Sequence, residues 1–405
     1  MKLSKLSQLF LVSAIGLILA SWMTACNIVT IDYVFVGTSG GSSNGNSGQI
    51  YTYAADAESG ALRVVHAAIS SGGNSPIAMV VDSSYSNLYV ANQASNAVVH
   101  FAIASDGTLS QKDSLTTSTP PVAIVLNKAG TYLYVLTGAT SATLTEYALS
   151  SGTIGSAKAT ETLSLAGYPS DTLVPTAVTV LANNSGVYAS VYDSSAYSPG
   201  CPSCVTSNAN PGWVFGFAVA SGGALSPVTD SPYEAGVKPS GLATDPTNRF
   251  VYATDFASNE LIGYTIEAND QLDFMVNGPF KTGNEPSSIV VDPRGLFIYV
   301  TNSLDSTVSA YSISLPTGAP SASIATTGSG TNATDSQPVA VTIDPGLGRF
   351  VYTANRLGDS VTGFRLSPTT GVLTPLIASP YPSGQAPSAL AAVPHGNYAI
   401  QTTAP

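Results

Sequence analysis

The chain has 405 residues, only 9% of them charged, and a formal net charge of −11 at pH 7. A surface this acidic repels the phosphodiester backbone, so the composition argues against a nucleic-acid partner. With so few charged residues, Ser, Thr, Asn and Gly must cover much of the surface.

The first 25 residues predict an export signal with a lipid attachment site. Lys2 and Lys5 precede an apolar segment of about 12 residues (9–20), too short for a bilayer-spanning helix of roughly 20. The sequence Met23-Thr24-Ala25-Cys26 resembles a bacterial lipobox with methionine in place of leucine. We expect a lipidated Cys26 and a chain anchored in the bacterial cell envelope, periplasmic or at the surface. The alternative is an ordinary signal peptide cleaved near Ala25.

Seven prolines each open a short apolar segment of strand length. In the segment 286–293, for example, Asp-Pro closes the run after three aliphatic residues. The prolines are Pro76, Pro121, Pro175, Pro239, Pro286, Pro338 and Pro387. These segments predict the first strand of a repeating unit.

Aromatic residues mark a second and a third strand in each unit. The second-strand series is Tyr33, Tyr89, Tyr134, Tyr188, Tyr252, Tyr299, Tyr352 and Tyr398. The third-strand series is Tyr53, Phe101, Tyr147, Phe217, Tyr264, Tyr311 and Phe364. We interpret these rings as packing between neighbouring sheets rather than as a cofactor site.

The repeat has a period of about 52 residues and four strands per unit, which predicts an all-β, seven-bladed propeller. We assign residues 1–25 to the signal, 26–32 to a short tether and 33–402 to the propeller. The N-terminal unit lacks a first strand, and Ser388 to Val393 is a first strand without a unit. We expect this segment to close the ring by pairing with the strand that contains Tyr53. Either Tyr33 or Tyr398 is then surplus.

Two segments carry a family resemblance that covers nearly all of residues 33–402. Tyr299-Val300-Thr301-Asn302 and Leu88-Tyr89-Val90-Ala91-Asn92 resemble the repeats of the lactonase-like (YVTN-repeat) seven-bladed propellers. Members of that family resemble 6-phosphogluconolactonases and fungal cycloisomerases. The resemblance implies either sugar-lactone hydrolysis or ligand binding, with no cofactor.

Loops after the second strands and before the first strands should share one face of the propeller, around the channel mouth. The candidate ligand-binding residues there are Asn92, Asp193, Asp255, Asn302, Asn355, Arg356, Glu234, Lys238, Lys281 and Glu285. Carboxylates could activate water, and cations could stabilise an oxyanion or bind a phosphate. Alternatively, the Asn and Asp residues simply end strands. His66, His100 and His395 are all expected away from the mouth, so a histidine-centred site has no match.

The fourth unit carries an insertion, with 29 residues from Tyr188 to Phe217 instead of the usual 12. It contains Cys201 and Cys204, for which we favour a local disulfide. A zinc site would need two more ligands, and no metal is expected. Tyr192, Tyr197 and Trp213 make the insertion a candidate recognition loop, although Trp213 could instead begin the third strand and pack inward.

Two functions remain open on the sequence alone. The first is a lipid-anchored binding module that presents its mouth to a sugar, glycan or protein ligand. The second is a hydrolase that opens a sugar lactone. Glu234, Lys238 and Glu285 clustered in one pocket would favour the hydrolase.

Overall fold

The computed structural model describes residues 29–40, 47–139, 141–165, 172–194, 211–321, 324 and 332–396. Over these residues the strands form seven antiparallel sheets, each built on four strands that follow one another from the channel outward. In six sheets these four strands are in sequence order, whereas blade 1 begins with the C-terminal strand. The first strand of every sheet contacts the first strands of both neighbouring sheets, and the contacts close into a ring. The seven-bladed propeller is therefore confirmed.

The blades are numbered from the N-terminus, and their strands run from the channel outward. Blade 1 contains β32 (Pro387–Pro394), β1 (Thr30–Thr38), β2 (Ser47–Asp56) and β3 (Leu62–Val64), with β4 (Ile69–Asn74) also on β2. Blade 2 contains β5 (Pro76–Val81), β6 (Asn87–Asn92), β7 (Ala97–Ile103) and β8 (Leu109–Thr116). Blade 3 contains β9 (Pro121–Leu126), β10 (Tyr132–Thr137), β11 (Thr143–Ser150) and β12 (Thr153–Thr162). Blade 4 contains β13 (Leu173–Val180), β14 (Gly186–Asp193), β15 (Gly212–Val219) and β16 (Leu225–Pro227), with β17 (Tyr233–Glu234) also on β15.

The remaining three blades follow the same order. Blade 5 contains β18 (Pro239–Thr244), β19 (Phe250–Asp255), β20 (Glu260–Ile266) and β21 (Leu272–Phe274), with β22 (Phe280–Lys281) also on β20. Blade 6 contains β23 (Pro286–Val291), β24 (Phe297–Asn302), β25 (Thr307–Ser312) and β26 (Asn332–Ala333). Blade 7 contains β27 (Pro338–Ile343), β28 (Phe350–Asn355), β29 (Ser360–Leu366) and β30 (Leu373–Pro375), with β31 (Tyr381–Pro382) also on β29. Single 3-10 turns lie at Gln93–Ser95 and Ala268–Asp270.

The ring closes through blade 1, as expected, but not by the predicted pairing. Strand β32 pairs with β1, where Val393 lies opposite Tyr33. Strand β1 in turn pairs with β2, where Val34 lies opposite Tyr53. The prediction of direct pairing with the Tyr53 strand was wrong because β1 lies between the two. Residues 31–38 of β1 are all buried, as an interior strand requires. Tyr33 thus belongs to the blade, and Tyr398 lies outside the described residues.

The register of blade 1 also corrects the tyrosine series. Phe35 lies opposite Thr52, as Tyr299 lies opposite Ala310 in blade 6. Phe35 therefore occupies the position that the sequence pattern assigned to Tyr33. The Tyr33 ring, two residues earlier, instead makes an edge contact with His395 at a centroid distance of 5.0 Å.

Tyrosine hydroxyls join neighbouring blades in both directions around the ring. Second-strand hydroxyls donate to carbonyls of the next blade: Tyr89 to Gly152, Tyr188 to Asp270, Tyr252 to Gly318, Tyr299 to Gly371 and Tyr352 to Gly60, at 2.5–3.0 Å. Third-strand hydroxyls donate to the preceding blade: Tyr53 to Pro382, Tyr264 to Glu234 and Tyr311 to Lys281, at 2.5–2.8 Å. The interpretation of these rings as inter-blade packing is confirmed.

Buried acceptor side chains hold the turns between first and second strands. The Asp245 carboxylate accepts the backbone N–H groups of Arg249 and Phe250, both at 2.7 Å, and of Thr247 at 3.0 Å. Asp82, Asn127, Asp292 and Asp344 occupy the same position in other blades. We call the face formed by these turns the base, and it carries Arg249, Arg294 and Arg349.

Candidate functional site

The face opposite the base is built from two adjacent segments in each blade. The residue after a second strand donates its N–H to the carbonyl of the residue before the first-strand proline. Examples are Gln93 to Ser75, Gly138 to Pro120, Phe256 to Lys238, Ser303 to Glu285 and Arg356 to Gln337, at 2.8–3.0 Å. These pairs surround one end of the channel, and we call this end the mouth.

Five of the ten candidate residues are buried where second strands end. Asn92, Asp255, Asn302 and Asn355 are fully buried, and Asp193, two positions further along its strand, is 8% exposed. The Asp255 carboxylate accepts the N–H groups of Val237 at 2.7 Å and Lys238 at 2.9 Å. The Asn302 amide donates to the hydroxyls of Thr307 and Ser309. These bonds fit a strand-ending role for Asp255 and Asn302, because their polar side-chain atoms already form hydrogen bonds within the propeller.

Glu234 and Lys281 lie on the outermost strands, away from the channel. Glu234 pairs with Trp213 across β15 and β17, and Lys281 pairs with Glu260 across β20 and β22. The Lys281 ammonium lies 2.8 Å from a Glu260 carboxylate oxygen. The structure therefore places Glu234 on the outer part of blade 4, so it does not join Lys238 and Glu285 at the mouth in the cluster that would favour a hydrolase.

Lys238, Glu285 and Arg356 remain at the mouth. Lys238 is half-buried, and its Nζ lies 4.5 Å from the centroid of Phe256 and 5.5 Å from that of Tyr192. Tyr192 belongs to blade 4 and Phe256 to blade 5, so the ammonium lies over aromatic rings from two blades. Such cation–π contacts fix the position of an ammonium group.

The Lys238 ammonium is electrostatically linked to the Glu285 carboxylate of blade 6. Burial lowers the pKa of Lys238, and the negative charge of Glu285 opposes part of that shift. A carboxylate and an ammonium group from neighbouring blades therefore interact at the mouth. Perturbed ionisation of a lysine in such a place is typical of functional sites.

The backbone of Glu285 is fixed from both sides. Its N–H donates to the Asn259 side chain at 2.8 Å, and its carbonyl accepts the N–H of Ser303 at 2.8 Å. Its φ of 54° is left-handed, an uncommon conformation before proline. The Ser303 hydroxyl also donates to the Glu285 carboxylate at 3.2 Å. The backbone position from which the Glu285 side chain extends is therefore fixed.

Below the mouth, first strands of all seven blades line a channel cavity of about 240 Å³. Hydroxyl groups follow several of the first-strand prolines: Thr176, Ser240, Ser287 and Ser388. Ser240 donates to the Pro286 carbonyl at 2.5 Å and Ser287 to the Pro338 carbonyl at 2.7 Å. A ligand that passes the mouth would meet a wall of aliphatic side chains with this polar ring.

All three histidines lie away from the mouth, as expected. His100 is buried on β7 between Asp113 and Asn87, at 2.8 Å from each. His66 contacts the Asp106 carbonyl at 2.9 Å, and His395 follows β32. In the described part of the chain, no group of three or more His, Cys, Asp or Glu side chains could hold a metal ion. Nor does any described helix have the length and apolarity to span a membrane.

Several predictions fall on residues that the structure does not describe. Cys26, Tyr197, Cys201 and Cys204 lie outside the described residues, so lipidation and the disulfide stay predictions. Trp213 is the second residue of β15 and packs against a core cluster of blades 3 and 4, which is the inward alternative. Sequence reasoning missed Phe256. Its position directly after the strand-ending Asp255 would have placed it at the mouth.

Fold and site together define a seven-bladed propeller with a charged, aromatic-walled channel mouth. The family model described as "Lactonase, 7-bladed beta-propeller" matches residues 28–126 and 104–402. The chain therefore belongs to the lactonase seven-bladed β-propeller family. No curated relative matches its sequence.

Solved structures show the same fold at low sequence identity. A putative 6-phosphogluconolactonase from Bacteroides fragilis is 16% identical with a TM-score of 0.71, over 91% of this chain and 99% of that one. A similar protein from Bacteroides uniformis is 16% identical with a TM-score of 0.72, over 90% and 99%. The periplasmic gluconolactonase of Pseudomonas aeruginosa is 18% identical with a TM-score of 0.69, over 92% and 100%. At these identities the similarity shows only that the fold is shared.

Proposed function

We propose that the chain is an exported, lipid-anchored propeller that binds a sugar acid or its lactone at the channel mouth. The observation that carries this proposal is the Lys238 ammonium, held over Phe256 and Tyr192 and linked to Glu285. Ligand sites commonly combine apolar walls with a few convergent polar groups.

The mouth offers complementary groups for such a ligand. Lys238 and the exposed Arg356 can bind a carboxylate or a lactone carbonyl, because both present cationic N–H donors. Glu285 can accept hydrogen bonds from sugar hydroxyls. These three side chains come from blades 5, 6 and 7, so the charged groups lie on one side of the ring. A ligand with an acid group and several hydroxyls matches this arrangement better than an apolar one.

Replacing Lys238 by Met is expected to weaken gluconate binding at least about tenfold, because a hydrogen bond to a charged group is lost. Isothermal titration of the wild type and the variant measures this effect. Lys128→Met is the matched control, since Lys128 is an exposed lysine in a base turn. Equal affinities for the wild type and K238M would contradict a site at Lys238.

A lactone hydrolase is the second candidate, favoured by the link between Glu285 and Lys238 at the mouth. Glu285 could activate a water molecule, while Lys238 stabilises the oxyanion that forms as the ring opens. Adding gluconolactone to the same proteins and following acid release separates the two functions. Release that depends on the enzyme and is lost in Glu285→Gln would assign the hydrolase. Saturable binding without release would assign the binding module.

The anchoring part of the proposal rests on the N-terminal sequence and on where β1 begins. Thr30 pairs with Asp56 at the base end of blade 1, and the Val29 carbonyl accepts the Ala57 N–H at 2.8 Å. An anchor at Cys26 would therefore attach at the base, and the mouth would point away from the membrane. We expect Cys26→Ser to move the protein from the membrane fraction to the soluble fraction. Membrane association that is unchanged in C26S, while mass spectrometry shows no acyl chain on the wild type, would contradict lipidation.

A further inference from the structure

A second cavity lies at the perimeter, where blade 4 meets blade 5. It has a volume of about 260 Å³ and is lined by residues from both blades. Glu234 comes from the outermost strand of blade 4, and Ser258 and Glu260 come from blade 5. The cavity is separate from the channel, because its lining includes no first-strand residue.

The floor of this perimeter cavity is apolar and is formed in part by buried side chains. Ile262 is 7% and Met275 is 6% exposed, while Phe274 is half-exposed at 51%. Gly236, Gly263 and Gly278 add backbone surface without side chains. This floor can hold a short hydrocarbon segment, because burying apolar surface is favourable.

Two acidic side chains line the cavity and should favour a ligand with a positive charge. Glu234 and Glu260 both line it, and they come from different blades. The Lys281 ammonium already lies 2.8 Å from Glu260, which shows that an alkylammonium group fits against this carboxylate. In the described part of the chain, the Glu234 carboxylate forms no ion pair. A ligand cation could therefore pair with Glu234 while Lys281 remains paired with Glu260.

We propose that this perimeter cavity binds an alkylammonium group, with the hydrocarbon on Ile262 and Met275 and the ammonium at Glu234. The partner would be either a free aliphatic amine or a lysine side chain of a basic protein. Charge complementarity supports such a ligand, since the chain carries a formal net charge of −11. The proposal is independent of the mouth, because none of Lys238, Glu285 and Arg356 lines the cavity.

Titration with pentylamine and with 1-pentanol tests the charge requirement, because the two probes share a hydrocarbon body. We expect saturable binding of pentylamine and at least about tenfold weaker binding of pentanol. Glu234→Gln should weaken pentylamine binding by a similar factor. Glu267→Gln, an exposed acid in a turn at the base, is the matched control and should bind as the wild type does.

Comparison of pentylamine with Nα-acetyl-lysine amide identifies the source of the ammonium group. Tighter binding of the lysine derivative would assign a protein partner, and tighter binding of pentylamine would assign a free amine. Melting curves of each variant verify that it is folded. Equal binding of pentylamine and pentanol, unchanged binding in E234Q, or no saturable binding of any probe would overturn the proposal.

Discussion

Asp245→Ala is expected to lower the free energy of unfolding by about 3 kcal/mol or more. The Asp245 carboxylate is 1% exposed and accepts three backbone N–H groups, those of Thr247, Arg249 and Phe250. Removing the carboxylate leaves these donors without an acceptor, and a buried unsatisfied donor costs about 1–3 kcal/mol. Losses within one turn are not strictly additive, so the expected effect is smaller than the sum of three maximal costs.

Chemical denaturation of Asp245→Ala, Asp245→Asn and the wild type measures this loss. Asp245→Asn should lose less, because its amide oxygen can still accept one or two of the N–H groups. Asp273→Ala is the matched control, since Asp273 is an exposed acid on the outer strand β21. A loss below about 1 kcal/mol in D245A would show that the turn is held by the strands rather than by the aspartate.

The second large effect is a fall in stability as pH rises from about 4 to about 9, caused by Asp32. This residue is fully buried in β1 and lies beside the buried Asp344 of blade 7. Burial and the Asp344 carboxylate raise the pKa of Asp32 to about 9, and burial raises that of Asp344 to about 6. Tyr85 and Tyr352 also face this pair, and burial raises the pKa of both.

The sign follows from proton linkage. Because the pKa of Asp32 is higher in the folded state than its ordinary value of 3.8, the folded chain keeps a proton that the unfolded chain releases. The associated stability is complete below about pH 4 and is lost as pH rises toward 9, at up to about 1.4 kcal/mol per pH unit.

Asp32→Asn should remove the part of this dependence that Asp32 causes, because an amide does not ionise. Its oxygen can still accept the Gly346 N–H, which Asp32 accepts at 3.1 Å, and its NH2 can donate to Asp344. We expect the variant to be more stable than the wild type at pH 9, with the difference vanishing near pH 4. Denaturation midpoints at several pH values test this, with exposed Asp273→Asn as the control. Parallel pH profiles for D32N and the wild type would contradict the assignment.

The repeat made the fold predictable from the sequence. For the ring closure, the sequence identified the closing strand but not the strand with which it pairs. Spacing of prolines and aromatic residues placed seven units and identified 388–393 as the strand that completes blade 1. The sequence pattern could not order β32, β1 and β2, because an interior strand and its neighbours are all apolar here. It also aligned Tyr33 with Tyr299, since two aromatic residues, Tyr33 and Phe35, stand on the same side of β1.

The candidate site was less predictable for a different reason. Asn and Asp at strand ends can face solvent or bond to nearby groups of the propeller, and the sequence does not distinguish the two. In the folded structure the side chains of Asp255 and Asn302 form such bonds. The contact of Lys238 with Tyr192 crosses between blades and leaves no local sequence signal. Glu234 and Lys281 were assigned to the mouth because the pattern did not reveal β17 and β22 as short outermost strands.

The mouth as the ligand site is tested most directly by a crystal structure of the protein soaked in gluconate. We predict electron density for the sugar acid at the mouth, with its carboxylate within hydrogen-bond distance of Lys238 or Arg356 and a hydroxyl at Glu285. The same crystals of Lys238→Met should lack this density. Density for gluconate only at a location away from the mouth, or an empty mouth at a concentration that saturates binding in solution, would contradict it.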